Sequence, residues 1–220
     1  MAMNYTMYQY RPDVKEKDRD LKEKDRDLST LVAHSVWLSK YEALNDPFEF
    51  AGLLEAKDFP DVDVLASNVG IACFCRAKTN PLLWSHYAAA HKGFAIGWDM
   101  SHPWFGRANG TDKSFLHDVV YEDIPLDPRS FGNGSAFLMS SLTTKSTAWA
   151  YEQEVRLIAK CGGRSAQIPK EAIKEILFGM AMSSERMSEI RSNVLAAGMS
   201  PSFAKMTRRS GSYGVSPEAV

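Results

Sequence analysis

Apolar and polar positions change period repeatedly along this chain, and the changes predict short strands interleaved with helices. "NYTMYQYR" (4–11) is aromatic-rich and predicts a first strand that stops at Pro12. "HSVWLS" (34–39) predicts a second short strand. The unbroken apolar run "VGIACFC" (69–75) suits a strand buried on both faces. Asn80 and Pro81 form a helix start, and "PLLWSHYAAAH" (81–91) carries that helix towards Gly93. "GFAIGWDM" (93–100) alternates as a strand and "HDVVYED" (117–123) predicts another, before a Pro-, Gly-, Ser- and Asn-rich loop over 124–136.

A helix is expected through 136–152, leading into the strand "EVRLIAK" (154–160). Pro169 opens a short helix, and "KEILFG" (174–179) predicts a strand. A helix over 184–197 ends at Gly198, and "SFAKMTRR" (202–209) predicts a last strand before the polar tail 210–220. Short strands mixed irregularly with helices predict an α+β fold: one domain over 1–209, with a mixed sheet of short strands and flanking helices.

One segment stands outside this pattern. "KEKDRDL" at 15–21 is repeated without change at 22–28, which places Val14, Leu21 and Leu28 seven apart. A coiled coil needs two apolar residues per heptad, so a solvated, duplicated helical insertion over 15–28 is expected instead.

Composition narrows the classes without choosing among them. At 220 residues, with 45% hydrophobic and 24% charged positions, the chain is long enough for a sizeable core. A formal net charge of −1 gives no support for a global nucleic-acid or membrane field, though a local basic patch would not show in that sum. No run approaches the ~18 apolar residues of a membrane span, so no membrane partner is expected. The N-terminus shows no secretory pattern, and three cysteines, two of them at C-x-C, make no disulfide framework; a cytoplasmic setting is expected.

His86 and His91 lie five apart, not at the four-residue spacing of helical metal pairs, so no metal site is expected. Cys73 and Cys75 are expected to pack in the core. Neither a G-x-G-x-x-G run nor a P-loop is present.

Candidate chemistry gathers in "YEQEVR" (151–156). Laid out as a strand, it places Glu152, Glu154 and Arg156 on one face. Two readings stay open. The row is either an ion-pair ladder or a pair of carboxylates that would stabilise positive charge developing on a sugar carbon. Arg11, at a strand end, has the planar fork of a phosphate or carboxylate anchor. On the helix after Asn80, Trp84 and Tyr87 share a face expected to be core, while His86 and His91 could cap it or line a cleft.

Several boxes together resemble a bacterial domain of unknown function, number 2971. These are "YQYR" (8–11), "NDPFE" (45–49), "CFCRAKTNPLLWSHYAAAHKGFAIGWD" (73–99), "VVYED" (119–123), "TKSTAWAYEQEVRLI" (144–158) and "KEILFG" (174–179). The likeness runs from about residue 7 to 208 and omits the duplication. Its members' occurrence among mobile and prophage genes implies a role in phage–host conflict.

The order of boxes is also similar to that of ADP-ribosyltransferase-like enzymes. That resemblance implies NAD as co-substrate, with Glu154 and Glu152 catalytic. Arg11 would anchor the dinucleotide, and Tyr87 and His86 would lie at the nicotinamide. The acceptor would be a protein, a nucleic acid or a small molecule. The alternative is a non-catalytic binding or accessory module, in which Asp46 and Glu49 cap turns and Glu154 pairs with Arg11 or Arg156.

Overall fold

The computed structural model describes residues 5–13, 26–46, 48–50, 59, 61–105, 108–109 and 112–220. Its fold is α+β, with mixed parallel and antiparallel strand pairing. The strands in chain order are β1 (Thr6–Arg11), β2 (Ser35–Leu38), β3 (Gly70–Cys75), β4 (Phe94–Asp99), β5 (Ala108–Asn109), β6 (Asp112–Asp118) and β7 (Val120–Tyr121). They continue with β8 (Thr144–Lys145), β9 (Glu154–Ala159), β10 (Arg164–Gln167), β11 (Ile173–Phe178), β12 (Ser202–Arg208) and β13 (Val215–Ala219). Helices span Arg26–Val32, Val62–Ser67, Pro81–Tyr87, Gly134–Thr143 and Ser184–Ala196.

These elements form two compact units, each assembled from separated stretches. The first comprises Met1–Val36, Phe74–Trp104 and Gln167–Val220; the second comprises Trp37–Cys73 and Phe105–Ala166. Strand β3 contributes its last two residues to the first unit and the rest to the second.

In the first unit the strand order is β13-β12-β11-β4-β1-β3. β1 and β4 pair antiparallel in continuous register from Thr6↔Asp99 to Arg11↔Phe94. Every residue of β4 is buried, which accounts for its apolar sequence. β11 and β12 are parallel, so the chain must cross over between them, and the helix Ser184–Ala196 makes that crossing with Ile190 and Val194 fully buried. Ser183 caps this helix by accepting from the Arg186 N–H at 3.2 Å.

Two expectations change in this unit. The helix capped by Asn80 ends at Tyr87 rather than reaching His91, because Ala89, Ala90 and His91 take positive φ values of 47°, 52° and 68°. Within the polar tail, Val215–Ala219 forms a strand antiparallel to β12, with Val215 buried; Pro217 is tolerated there because β13 is the outer strand. The duplicated helix over 15–28 lies outside the described residues except Arg26–Leu28, which open the helix Arg26–Val32 with Leu28 buried.

In the second unit the order is β3-β9-β6-β5. Its core gathers Phe50, Val62, Ala66, Ile71, Phe137, Leu142 and Ile158. The strand expected over 117–123 is divided at Val119, whose N–H donates to the Glu154 carbonyl at 3.1 Å; β7 then pairs parallel with β8, Tyr121 opposite Lys145. The expected helix 136–152 stops at Thr143. Its last residues are hydroxylated and β-branched, and the Thr143 hydroxyl turns back to the Met139 carbonyl at 2.8 Å. A short 3-10 helix, Thr147–Glu152, follows and is closed by Gln153 in a left-handed conformation (φ 47°, ψ 50°).

Candidate functional site

The sequence expectation that Glu152, Glu154 and Arg156 form one row is half realised. Glu154 and Arg156 lie two apart on β9, and their side chains meet: Arg156 Nε donates to Glu154 Oε1 at 2.8 Å and Nη2 to Oε2 at 3.1 Å. Glu152 is not on the strand. The 3-10 helix ends on it, and the left-handed Gln153 reverses the chain so that Glu152 accepts from Lys145 Nζ at 2.7 Å.

Lys145 is the hub of a buried network. Besides Glu152, its ammonium reaches Glu49 Oε1 at 2.9 Å and Glu154 Oε2 at 3.4 Å, and it lies 4.8 Å from the centroid of the Trp149 ring. Glu49 Oε1 also accepts from Arg156 Nη2 at 2.9 Å, and Arg156 Nη1 donates to the Leu142 carbonyl at 2.8 Å. Arg156 is 0% exposed. The network holds three carboxylates and two cations, one negative charge in excess.

Three of these charges, on Glu154, Lys145 and Arg156, are held by their neighbours against the cost of leaving water. Burial alone would raise the Glu154 carboxyl, but the Arg156 guanidinium and then Lys145 hold it below the ordinary carboxylate value. Burial alone would lower Lys145 and Arg156; Glu154 above all, with Glu49, holds both above their ordinary values. The Cys73 thiol beside them is pushed well up by burial and by Glu154, against the opposing pull of Arg156. The backbone N–H of Glu154 donates to the Tyr121 hydroxyl at 2.8 Å, and burial pushes that phenol up to about 12.

Next to this network is a pocket of about 600 Å³, lined among others by Phe48, Phe50, Ile124, Leu126 and Trp149. Phe48 and Ile124 are 80% and 79% exposed at its rim. Glu49, Ser141 and Lys145 belong to its lining, whereas Glu152 and Glu154 do not. Two of these lining residues are under-satisfied among the described residues. Glu49 Oε2 and Ser141 Oγ are both buried without a hydrogen-bond partner, although the Glu49 side chain is only 1% exposed. Buried polar atoms are nearly always paired; both of these are closed to solvent, so neither is presented to the pocket.

The segment that supplies Glu49 is built by a local turn. The Phe48 N–H donates to Asp46 Oδ1 at 2.9 Å, and the Glu49 N–H donates to the Asp46 carbonyl at 3.1 Å. "NDPFE" therefore caps its own turn through Asp46. The expectation that Glu49 also caps is replaced by its role in the network, 107 residues from Arg156.

The other candidate residues belong to the first unit. Arg11 ends β1, half-buried; Nη2 donates to Gln9 Oε1 at 2.8 Å, and Nε has no partner among the described residues. Burial, with Arg26, holds its pKa below the ordinary value against Asp27. His86 is exposed and Tyr87 half-buried at the end of the helix Pro81–Tyr87, their ring centroids 6.4 Å apart. The structure thus brings Glu152 and Glu154 together with two residues the sequence reading did not nominate, Lys145 and Glu49. Lys145 sits in the "TKSTAWAYEQEVRLI" box, but nothing in its spacing points to Glu49.

A family model described as a protein of unknown function, DUF2971, matches residues 83–157. That stretch carries Lys145, Glu152, Glu154 and Arg156, and it begins downstream of Glu49. Comparisons with curated proteins and with solved structures return no significant match, so a likeness to ADP-ribosyltransferase-like enzymes has no support from either.

Proposed function

We propose that the second unit is a small-molecule-binding module whose buried charges shape a pocket floor, and that Glu152 and Glu154 serve structure there rather than catalysis. The observation that carries this reading is the pocket of about 600 Å³ beside the charge network, with Phe48 and Ile124 80% and 79% exposed at its rim. Large apolar side chains left exposed around a concave site are a common mark of a ligand surface. The apolar walls supply the contact area typical of ligand pockets.

Transfer from NAD through Glu154, with Arg11, Tyr87 and His86 at the dinucleotide, would require Glu154 to reach a ribose carbon. Both of its oxygens are held by Arg156 and Lys145, so that role requires the network to open first.

Saturation-transfer NMR with a fragment set of mixed charge tests the proposal on the full chain. Fragments are expected to bind the wild type and to lose their signal in Phe48→Ala, an exposed rim substitution that leaves the core intact. The absence of any binder, or binding indifferent to Phe48, would count against the module. Incubation with NAD runs in parallel: nicotinamide release that disappears in Glu154→Gln would replace the binding reading with the transferase.

A further inference from the structure

We infer that the hairpin joining β12 to β13 is a contact point for single-stranded nucleic acid, with Arg208 and Arg209 on phosphates and Tyr213 stacked on a base. This surface belongs to the first unit and is independent of the pocket reading above.

The first observation is how charge is divided. The formal net charge of −1 hides two units of opposite sign: the first carries 17 Lys and Arg against 13 Asp and Glu, the second 9 against 14. Within the first unit the excess is concentrated late in the chain. From 190 to 217 there are four cations, Arg191, Lys205, Arg208 and Arg209, and no acid. Two of them are engaged: the Arg191 guanidinium lies 5.2 Å from the centroid of the Phe203 ring, and Lys205 Nζ donates to the Met182 carbonyl at 3.3 Å. Arg208 and Arg209 are exposed, and neither guanidinium has a hydrogen-bond or ion-pair partner among the described residues.

The second observation is the shape that presents them. β12 pairs with β11 only as far as Lys205 opposite Phe178, but with β13 as far as Arg208 opposite Val215. Beyond that pair the chain closes in a hydrogen-bonded turn. The Arg209 N–H donates to the Gly214 carbonyl at 3.0 Å and the Ser212 N–H to the Arg209 carbonyl at 3.3 Å, with Gly211 at φ 73°. Tyr213 stands on this turn fully exposed. Unpaired guanidiniums beside a bare aromatic ring are the combination that holds single strands, since the cations take the backbone and the ring face takes a base.

The acids at this end of the sheet are turned to other partners. Asp13 accepts from Arg186 at 2.6 and 2.8 Å, Asp27 from the Asp13 N–H at 3.2 Å, and Glu218 from the Thr207 hydroxyl at 3.0 Å. Glu185 bonds to Ser183 at the start of its own helix. Lys92, exposed just before β4, adds a cation at the same end. A membrane surface fits less well, because Ser210, Gly211, Ser212 and Gly214 give the tip no apolar anchor beside the tyrosine. A duplex keeps its bases stacked inside and would leave Tyr213 without a base face.

The test measures fluorescence anisotropy of end-labelled oligothymidylate and oligouridylate of about 20 nucleotides, with a DNA duplex of equal length, on the full chain. Wild-type protein is expected to bind single strands, with a preference between the two naming the sugar, and to bind the duplex at least fivefold more weakly. Arg208→Ala/Arg209→Ala should lower affinity at least tenfold. It should also make the plot of log K against log salt shallower by about 1.4, since each phosphate neutralised on a single strand contributes about 0.7. Tyr213→Ala should lower affinity about fivefold or more with the salt slope unchanged. All three positions are exposed, so the thermal midpoint should not move. Lys40→Ala/Lys160→Ala removes the same charge from exposed positions of the second unit and should leave binding unchanged.

No binding to either single strand, or binding that survives the loss of both arginines, would overturn the inference. So would an equal loss in Lys40→Ala/Lys160→Ala, which would trace binding to net charge alone. Duplex bound as tightly as single strand, with Tyr213→Ala silent, would overturn the single-strand assignment. Binding instead to mixed phosphatidylcholine and phosphatidylserine vesicles, lost with the arginines, would reassign the tip to a membrane.

Discussion

Replacing Arg156 by methionine keeps an unbranched apolar chain and removes the guanidinium, so the damage falls on the partners left behind. Both oxygens of Glu154, Glu49 Oε1 and the Leu142 carbonyl each lose a donor between 2.8 and 3.1 Å away. Removing one partner of a buried ion pair costs about 3–5 kcal/mol. An unpaired buried carbonyl adds about 1–3 kcal/mol. The expected loss of about 4–8 kcal/mol is comparable to the whole stability of many domains, ~5–15 kcal/mol.

That loss should depend on pH. In the wild type, Arg156 holds Glu154 below the ordinary carboxyl value, so the pairing contributes fully above the unfolded pKa of about 4.3 and is lost as pH falls through the lower folded value. In Arg156→Met burial has less to oppose it and the folded pKa of Glu154 rises. The sign then reverses: the variant loses stability as pH climbs past the unfolded value. Urea unfolding at pH 7 and near pH 4, followed by circular dichroism, should show a gap that is widest at pH 7 and clearly narrower at acid pH. The double variant Arg156→Met/Glu154→Gln should recover about 2 kcal/mol of the single variant's loss, since it removes the stranded charge. A loss under about 1 kcal/mol at pH 7, a pH-independent gap, or a double variant no better than the single would refute the reasoning.

Two backbone positions give independent checks. Gln153→Gly should raise stability by about 0.5–1 kcal/mol, because φ 47° strains a side chain that glycine lacks, and a lower urea midpoint would contradict this. Gly93→Ala should cost about 3 kcal/mol or more, because a Cβ there would lie 2.0 Å from the Arg11 carbonyl oxygen; a variant melting with the wild type would show that β1 and β4 are not held as described.

The strands were legible wherever a run of apolar residues was long enough to be buried on its own account. β1, β3, β4, β9, β11 and β12 fall within a residue or two of their expected positions. The connections were less legible, because tertiary pairing decided them. The chain from 136 to 152 holds no Gly or Pro to stop a helix, yet its hydroxylated stretch and the parallel pairing of β7 with β8 take Thr144 and Lys145 out of any helix. The tail looks polar in sequence because Val215 is its one buried residue, and the open edge of β12 makes the strand. At the candidate site, the Glu154–Arg156 pair could be read from the period-two spacing of a strand. Glu49 could not, since a turn whose sequence explains its own capping gives no sign that its next carboxylate serves a lysine 96 residues on.

The long reach between Glu49 and Arg156 also bears on the order of events in folding. A contact separated by 107 residues forms only after the intervening chain has closed its loops, so the network should be absent from the folding transition state. Substitutions in it would then change the unfolding rate far more than the folding rate. In that case the lysine at the centre of these carboxylates acts as a latch: it does little to guide the chain to its fold and much to set how long the fold persists.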